Sequence, residues 1–158
     1  MPGGTVKLPQ RPGVTDRVLF ECIQDFLVSH VITVAGTLKA GGFTTAGAFY
    51  REVLLAWCVN LVVAWLIPES RLAGWLCRQI GVQETPAPRF LLTLAVIVLI
   101  NVTCILACVL LWKVGPTPLY PVMFGRLFPT LLLAGYIGGC LLFPVTAWLV
   151  KRILKETA

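Results

Sequence analysis

Five polar residues recur every four positions in a largely apolar stretch near the start of the chain: Glu21, Asp25, Ser29, Thr33 and Thr37, with Gln24 and His30 beside them. A spacing of four against 3.6 residues per turn drifts by about 40° at each step, so a helix carrying these residues presents one slowly winding polar stripe. Carboxyl and imidazole groups inside a bilayer are costly and usually face protein or water. One reading is therefore a proton or ion path with Asp25 and His30 as relays. The other is structural: Glu21 and Asp25 lie near the helix end and snorkel or pair with Arg17, while the hydroxyls bond their own helix or a neighbour.

A second set of polar groups follows from depth. At about 1.5 Å per residue, His30 lies about 18 Å into the first apolar stretch, Asn101 about 16 Å into the third, and Asn60 about 10 Å below the outer end of the second. His30, Asn60 and Asn101 are thus expected at mid-membrane and expected to converge as a buried cluster, for interhelical hydrogen bonding or for ligand binding. Aligned on Lys39 and Lys113, the third stretch carries Leu99 where the first has Asp25, and Ala95 where it has Glu21. Any chemistry of the stripe belongs to the first half of the chain alone.

Other chemistries find little purchase. The six cysteines include no Cys-x-x-Cys pair and none lies in the outer loops, which argues against thiol redox work. Cys104 and Cys108 lie one turn apart as small packing groups, and Cys22 and Cys77, near an interface, are at most acylation candidates. A single histidine argues against a zinc site, and no metal or cofactor is expected. Asn101-Val102-Thr103 has the glycosylation pattern, but at mid-membrane depth it is no surface acceptor. There is no phosphate-cradling glycine loop, nucleophile triad or acidic dyad. Gly135 and Gly139, flanked by Ala134 and Gly138, form a small-residue pair that lets another helix approach closely, within a bundle or in a dimer.

The elements that carry these groups follow from composition. Of 158 residues, 58% are hydrophobic and 13% charged, with mean hydropathy +0.87, which makes lipid the solvent for most side chains. Apolar stretches cover residues 18–38, 53–67, 90–112 and 127–150. They are too long and continuous for barrel strands, so they are predicted to be helices. The second falls short of the roughly 30 Å hydrocarbon core. It is expected to continue to about Cys77 with a bend at Pro68, leaving Glu69 and Arg71 near the interface. The fold class is thus an all-α membrane protein of four transmembrane helices. An uninterrupted apolar run of the signal-peptide kind is not expected at the start, because Glu21 and Asp25 break it.

The net charge of +6 is spread over single basic residues beside apolar segments, which argues against nucleic acid and for topology signals. Nine lie before the first stretch, between the second and third, or after the fourth: Lys7, Arg11, Arg17, Arg71, Arg78, Arg89, Lys151, Arg152 and Lys155. Four lie in the other two connections: Lys39, Arg51, Lys113 and Arg126. The positive-inside rule then places both termini in the cytoplasm.

The halves share an order of signals: apolar span, lysine, Gly/Pro turn, aromatic-plus-arginine segment, apolar span, proline. Lysine to arginine is 12 residues in one half and 13 in the other, and arginine to proline is 17 and 18. The halves close on Gly74-Trp75-Leu76-Cys77-Arg78 and Ala147-Trp148-Leu149-Val150-Lys151. This reads as duplication into two parallel two-helix repeats, residues 18–83 and 90–155, with a flexible tail at 1–17 and a Pro-containing linker at 84–89. Even-numbered units enter from the same side, so the inverted-repeat arrangement of many carriers is excluded within one chain.

Ala48-Phe49-Tyr50-Arg51-Glu52, the exit over residues 68–78, the short linker, and Phe128-Pro129 through Pro144-Val145-Thr146-Ala147-Trp148 carry a resemblance. The pattern resembles tandem members of the bacterial domain-of-unknown-function family 2798, small two-helix membrane proteins that also occur as four-helix forms. It covers about residues 18–154 and implies a bacterial inner-membrane location, with no established activity or site residues. The partners expected are the lipid bilayer and, through helix association, a second copy or another membrane protein. The sequence favours a non-enzymatic protein acting through such association or a membrane assembly. A small transporter or channel using Asp25, His30, Asn60 and Asn101 is the alternative, and an enzyme acting on lipid-like substrates is third.

Overall fold

The residue before a proline is pushed out of helical backbone, and proline itself has no N–H to continue a helix. Ile67 shows the effect, with φ −108° and ψ 121°, and the second helix stops there. In the computed structural model, which describes residues 14–42, 45–82 and 86–156 and the side chains of all of these but 14–17, 70 and 156, five helices follow in order. They are α1 (Val14–Ala40), α2 (Ala46–Leu66), α3 (Glu69–Ile80), α4 (Pro86–Val114) and α5 (Leu119–Glu156). No strand occurs among the described residues. Pro129 and Pro144, by contrast, sit inside an unbroken α5.

Four of the helices, all but α3, are long and apolar enough to cross a membrane. Their outer faces carry bulky apolar side chains: Trp65 is 94% exposed, and Leu66, Trp112 and Leu141 are mostly so. Such a surface is stable against hydrocarbon and not against water. The chain is therefore a multi-pass integral membrane protein.

α1 packs on α2 and α5, and α4 packs on α5, α2 and α3. Gly36 lies against Leu131 and Gly138 against Val31, so α1 and α5 are antiparallel and α1 begins where α5 ends. This is the terminal end of the bundle; the α1–α2 and α4–α5 turns form the hairpin end. α3 prolongs the line of α2 beside α4, where Cys77 Sγ comes 4.0 Å from the Arg89 carbonyl and 3.8 Å from Thr93 Oγ1. The continuation expected beyond Pro68 is thus present as a separate helix. It ends on Gly81, whose φ of 76° is the left-handed backbone that closes a helix.

The helix ends bear on two of the expected boundaries, and burial bears on Glu69. Most of the tail at 1–17 lies outside the described residues, but 14–17 already belong to α1. Within the linker at 84–89, residues 84 and 85 also lie outside, whereas 86–89 form the first turn of α4, which tolerates Pro86 because the missing N–H is an orphan there anyway. The largest difference concerns Glu69: it is 9% exposed and turned into the bundle, not set at the interface.

Gly135, Gly138 and Gly139 of α5 serve packing inside the bundle. A Cβ at Gly135 would stand 3.1 Å from Val98 Cγ1 and 3.3 Å from Val102 Cγ2, and one at Gly139 would stand 3.2 Å from Leu94 Cδ1. Gly135→Leu is accordingly expected to destabilise the bundle by about 1–3 kcal/mol through overpacking, measurable by denaturing-detergent titration.

Candidate functional site

The stripe on α1 is buried at its middle and half-buried at Asp25 and Thr37, while Glu21 at one end is exposed. Ser29 is wholly buried and Thr33 nearly so. Towards the terminal end, Glu21 and Asp25 line a cavity of about 310 Å³ between α1, the α2–α3 break, α4 and α5. Towards the hairpin end, Thr33 and Thr37 line a second cavity of about 290 Å³, which also holds the ion pair of Lys113 Nζ and Glu52 Oε1 at 2.7 Å. Between them lies a small hollow of about 40 Å³ lined by Asp25, Asn60 and Asn101. Asp25 is common to the terminal cavity and the hollow, and Ile32 to the hollow and the hairpin cavity. The three spaces therefore stand in file, with buried Ile32 as the apolar partition.

Each wall follows from local structure. On α2, Val53, Ala56, Asn60 and Val63 make the buried face at helical spacing, which puts the Asn60 amide inside at 2% exposure. On α4, Asn101 lies among buried Val98, Val102 and Ile105. On α3, Glu69 shares a four-residue spacing with buried Ala73 and Cys77, so the face that packs on α4 carries the carboxyl with it. The Asn101 amide faces that carboxyl, and Asp25 and Glu21 are close enough to interact with it electrostatically. Since Asn101 lies about 16 Å beyond Phe90 along α4, Glu69 sits deep within the membrane-spanning layer.

The wall between α1 and α5 is a hydrogen-bonded one. Gln24 Nε2 donates to the Gly139 carbonyl at 3.2 Å, and the fully buried Thr146 hydroxyl lies 2.6 Å from Gln24 Oε1 and 3.0 Å from the Leu142 carbonyl. Trp57 Nε1 donates to the Cys22 carbonyl at 3.2 Å and fixes α2 on α1.

The interior groups are not balanced in this way. Ser29 Oγ, Asn60 Oδ1, Asn101 Oδ1 and Glu69 Oε1 are buried with no hydrogen-bond partner among the described residues. The two amide oxygens can only accept, whereas the Ser29 hydroxyl can also donate. A buried acceptor without a donor costs about 1–3 kcal/mol, and two of these, Asn60 Oδ1 and Asn101 Oδ1, belong to side chains lining the same hollow.

Asn60 and Asn101 thus meet at one hollow, whereas His30 does not join them. Its Nδ1 lies 2.9 Å from the Phe26 carbonyl, and the ring packs edge-on to Phe26 and near Phe49 and Tyr50, at the α1–α2 contact. The correction has a simple cause: Ser29 lies on the inward stripe, and the next residue points about 100° away from it. Glu69, in turn, was missed as a member of the site. Its spacing of four to Ala73 and Cys77 was the available signal.

No family model, curated protein or solved structure matches this chain.

Proposed function

We propose that this chain is a small membrane transport protein for a positively charged species, with the acid-lined terminal cavity as its inlet and the Asp25–Asn60–Asn101 hollow as its binding step. The observation that carries the reading is the pairing of two buried amide oxygens without a donor among the described residues, Asn60 Oδ1 and Asn101 Oδ1, on side chains that line that hollow with Asp25. Intramembrane carboxyls facing a cavity are the usual mark of an ion or proton path. The three spaces in file supply a direction, and Ile32 the closure a carrier needs in one of its states.

Action through helix association is the competing reading. Its best sequence support was the Gly135 and Gly139 pair, and both glycines face α1 or α4 inside the bundle, so an association surface would have to be built from other residues. Cytoplasmic termini are part of the proposal, supported by the nine basic residues assigned to that side. Parallel duplication is supported by the arrangement in which α1 and α4 each touch both α2 and α5. Membership of family 2798 and a bacterial inner membrane rest on the pattern of residues alone, and they add no activity.

The test is flux in reconstituted vesicles under an imposed potential, with protons, potassium and alkylammonium ions offered in turn. Flux of at least one above protein-free vesicles is expected, reduced about tenfold or more by Asp25→Asn, equivalent to about 1.4 kcal/mol of lost interaction. His30→Ala should leave it within about twofold, since its ring is outside the path. Equal flux in wild type and Asp25→Asn contradicts the proposal.

A further inference from the structure

We infer that the inner hollow is a water site and that the cation passing it is a proton. The choice of cation rests on the transport reading above; the water site stands on the hollow alone.

Two acceptors on one small space are the first argument. Asn60 of α2 is 2% exposed and Asn101 of α4 is 7% exposed; both line the hollow, and neither Oδ1 has a donor among the described residues. The Asn101 amide N–H is engaged by the Glu69 carboxyl, which leaves its oxygen as the end to be satisfied. Gln24 also lines the hollow, but its amide is tied to α5, with Nε2 on the Gly139 carbonyl and Oε1 2.6 Å from the Thr146 hydroxyl. Buried amide oxygens in native proteins nearly always hold a donor, from protein or from ordered water. Water has two O–H donors, one for each oxygen.

Size and lining decide between occupants. The hollow measures about 40 Å³, and a water takes up about 30 Å³ in the liquid. A tetramethylammonium ion is several times larger than a water and does not fit. A bare metal ion wants a close shell of oxygens, about six or more for a hard divalent cation. The lining offers the two amide oxygens and the Asp25 carboxyl among six aliphatic side chains, Val28, Ile32, Leu94, Ile97, Val98 and Val102. Three polar groups are too few for such a shell and enough for a water, which needs about two to four partners.

Asp25 joins this water to the inlet, because it lines the terminal cavity as well. In the hollow's lining α2, α4 and α5 contribute no titratable group among the described residues, while Glu21 of α1 and Glu69 of α3 interact with Asp25 electrostatically. A protonated Asp25 hands its proton to the water: the carboxyl O–H bond breaks, a third O–H bond forms on the water oxygen, and the carboxylate keeps the electron pair. The hydronium then has three donors, for the two amide oxygens and the carboxylate. Nothing larger than a proton has to enter.

The site is tested by a high-resolution structure of the full-length protein in lipid nanodiscs, prepared once in potassium chloride and once in rubidium chloride. One density peak is expected between Asn60 and Asn101, about 2.5–3.0 Å from both Oδ1 atoms and of equal height in the two salts. In Asn60→Leu the peak should be gone; leucine fills the space and returns the water to bulk, so the variant stays folded. In sealed vesicles under an imposed potential, proton flux should exceed that of protein-free vesicles and fall about tenfold or more in Asn60→Leu. Potassium and tetramethylammonium should cross no faster than without protein, and the lipid-facing control Leu99→Ala should match wild type in both measurements. A hollow without a peak, or a peak that rises in rubidium, overturns the inference. Asp25-dependent flux of potassium or tetramethylammonium also overturns it and leaves the transport reading standing. The peak in place without flux of any cation upholds the water site and overturns the proton assignment together with the transport reading.

Discussion

Glu69→Gln is expected to cut cation flux about tenfold or more while the protein still purifies as a folded bundle. The tenfold figure corresponds to about 1.4 kcal/mol of interaction between the carboxyl and the moving charge, a modest value for a group buried in this setting. Glutamine keeps the shape of the side chain and its place on the α3 face with Ala73 and Cys77, so packing on α4 should persist. The contrast is Glu52→Gln. Glu52 is paired with a Lys113 whose side chain is 45% exposed, at the hairpin end. Loss of such a pair is worth about 0–1 kcal/mol, so although the pair borders the hairpin cavity its loss should cost flux less than Glu69→Gln does. Were Glu69 an interfacial residue, as its place after Pro68 first indicates, its substitution would be the milder of the two.

Asn60→Leu should raise stability and abolish flux together. Asn60 is 2% exposed, and its Oδ1 has no donor among the described residues. Leucine fills a similar volume, and removing the unpaired acceptor should gain about 1–2 kcal/mol in denaturing-detergent titration. A structural role makes the opposite prediction, because deleting an interhelical hydrogen bond in a membrane bundle costs about 0.6 kcal/mol on average. The sign of the stability change therefore separates a site held ready for a ligand from polar glue. Flux should fall in the same variant, as the hollow loses an acceptor beside Asp25.

Much of this arrangement was legible in the residues. The apolar runs gave four helices long enough to span, and of the residues spaced by four, Glu21, Asp25, Ser29, Thr33 and Thr37, Ser29 and Thr33 are buried while Glu21 is exposed. Depth counting brought Asn60 and Asn101 to one level, which distance along a helix determines. It could not bring His30 to the same face, because rotation about the helix axis is a separate coordinate from depth. Ser29 and His30 differ by one residue in depth and by about 100° in direction. Pro68 was recognisable as a bend, but whether the chain beyond it leaves the membrane or prolongs the span depends on whether α3 finds a partner. α4 supplies one through Arg89 and Thr93, and that contact draws Glu69 inward. The three cavities were beyond reach of the sequence, since volumes between helices depend on tilt and on which side chains interlock.

Water and cations must reach the groove beside Asp25 from the terminal end if the site is to work, and labelling tests this most directly. Ile97 lines both the terminal cavity and the inner hollow, while Leu99, two residues on, faces outward at 45% exposure. With the six native cysteines replaced, a cysteine at each position is offered a membrane-impermeant cationic thiosulfonate in sealed vesicles of either orientation. Ile97→Cys should react from the face that bears the termini, and Leu99→Cys should not. An unreactive Ile97→Cys, or equal labelling at the two positions, would mean that the carboxyls border dry packing and that no cation path enters the bundle there.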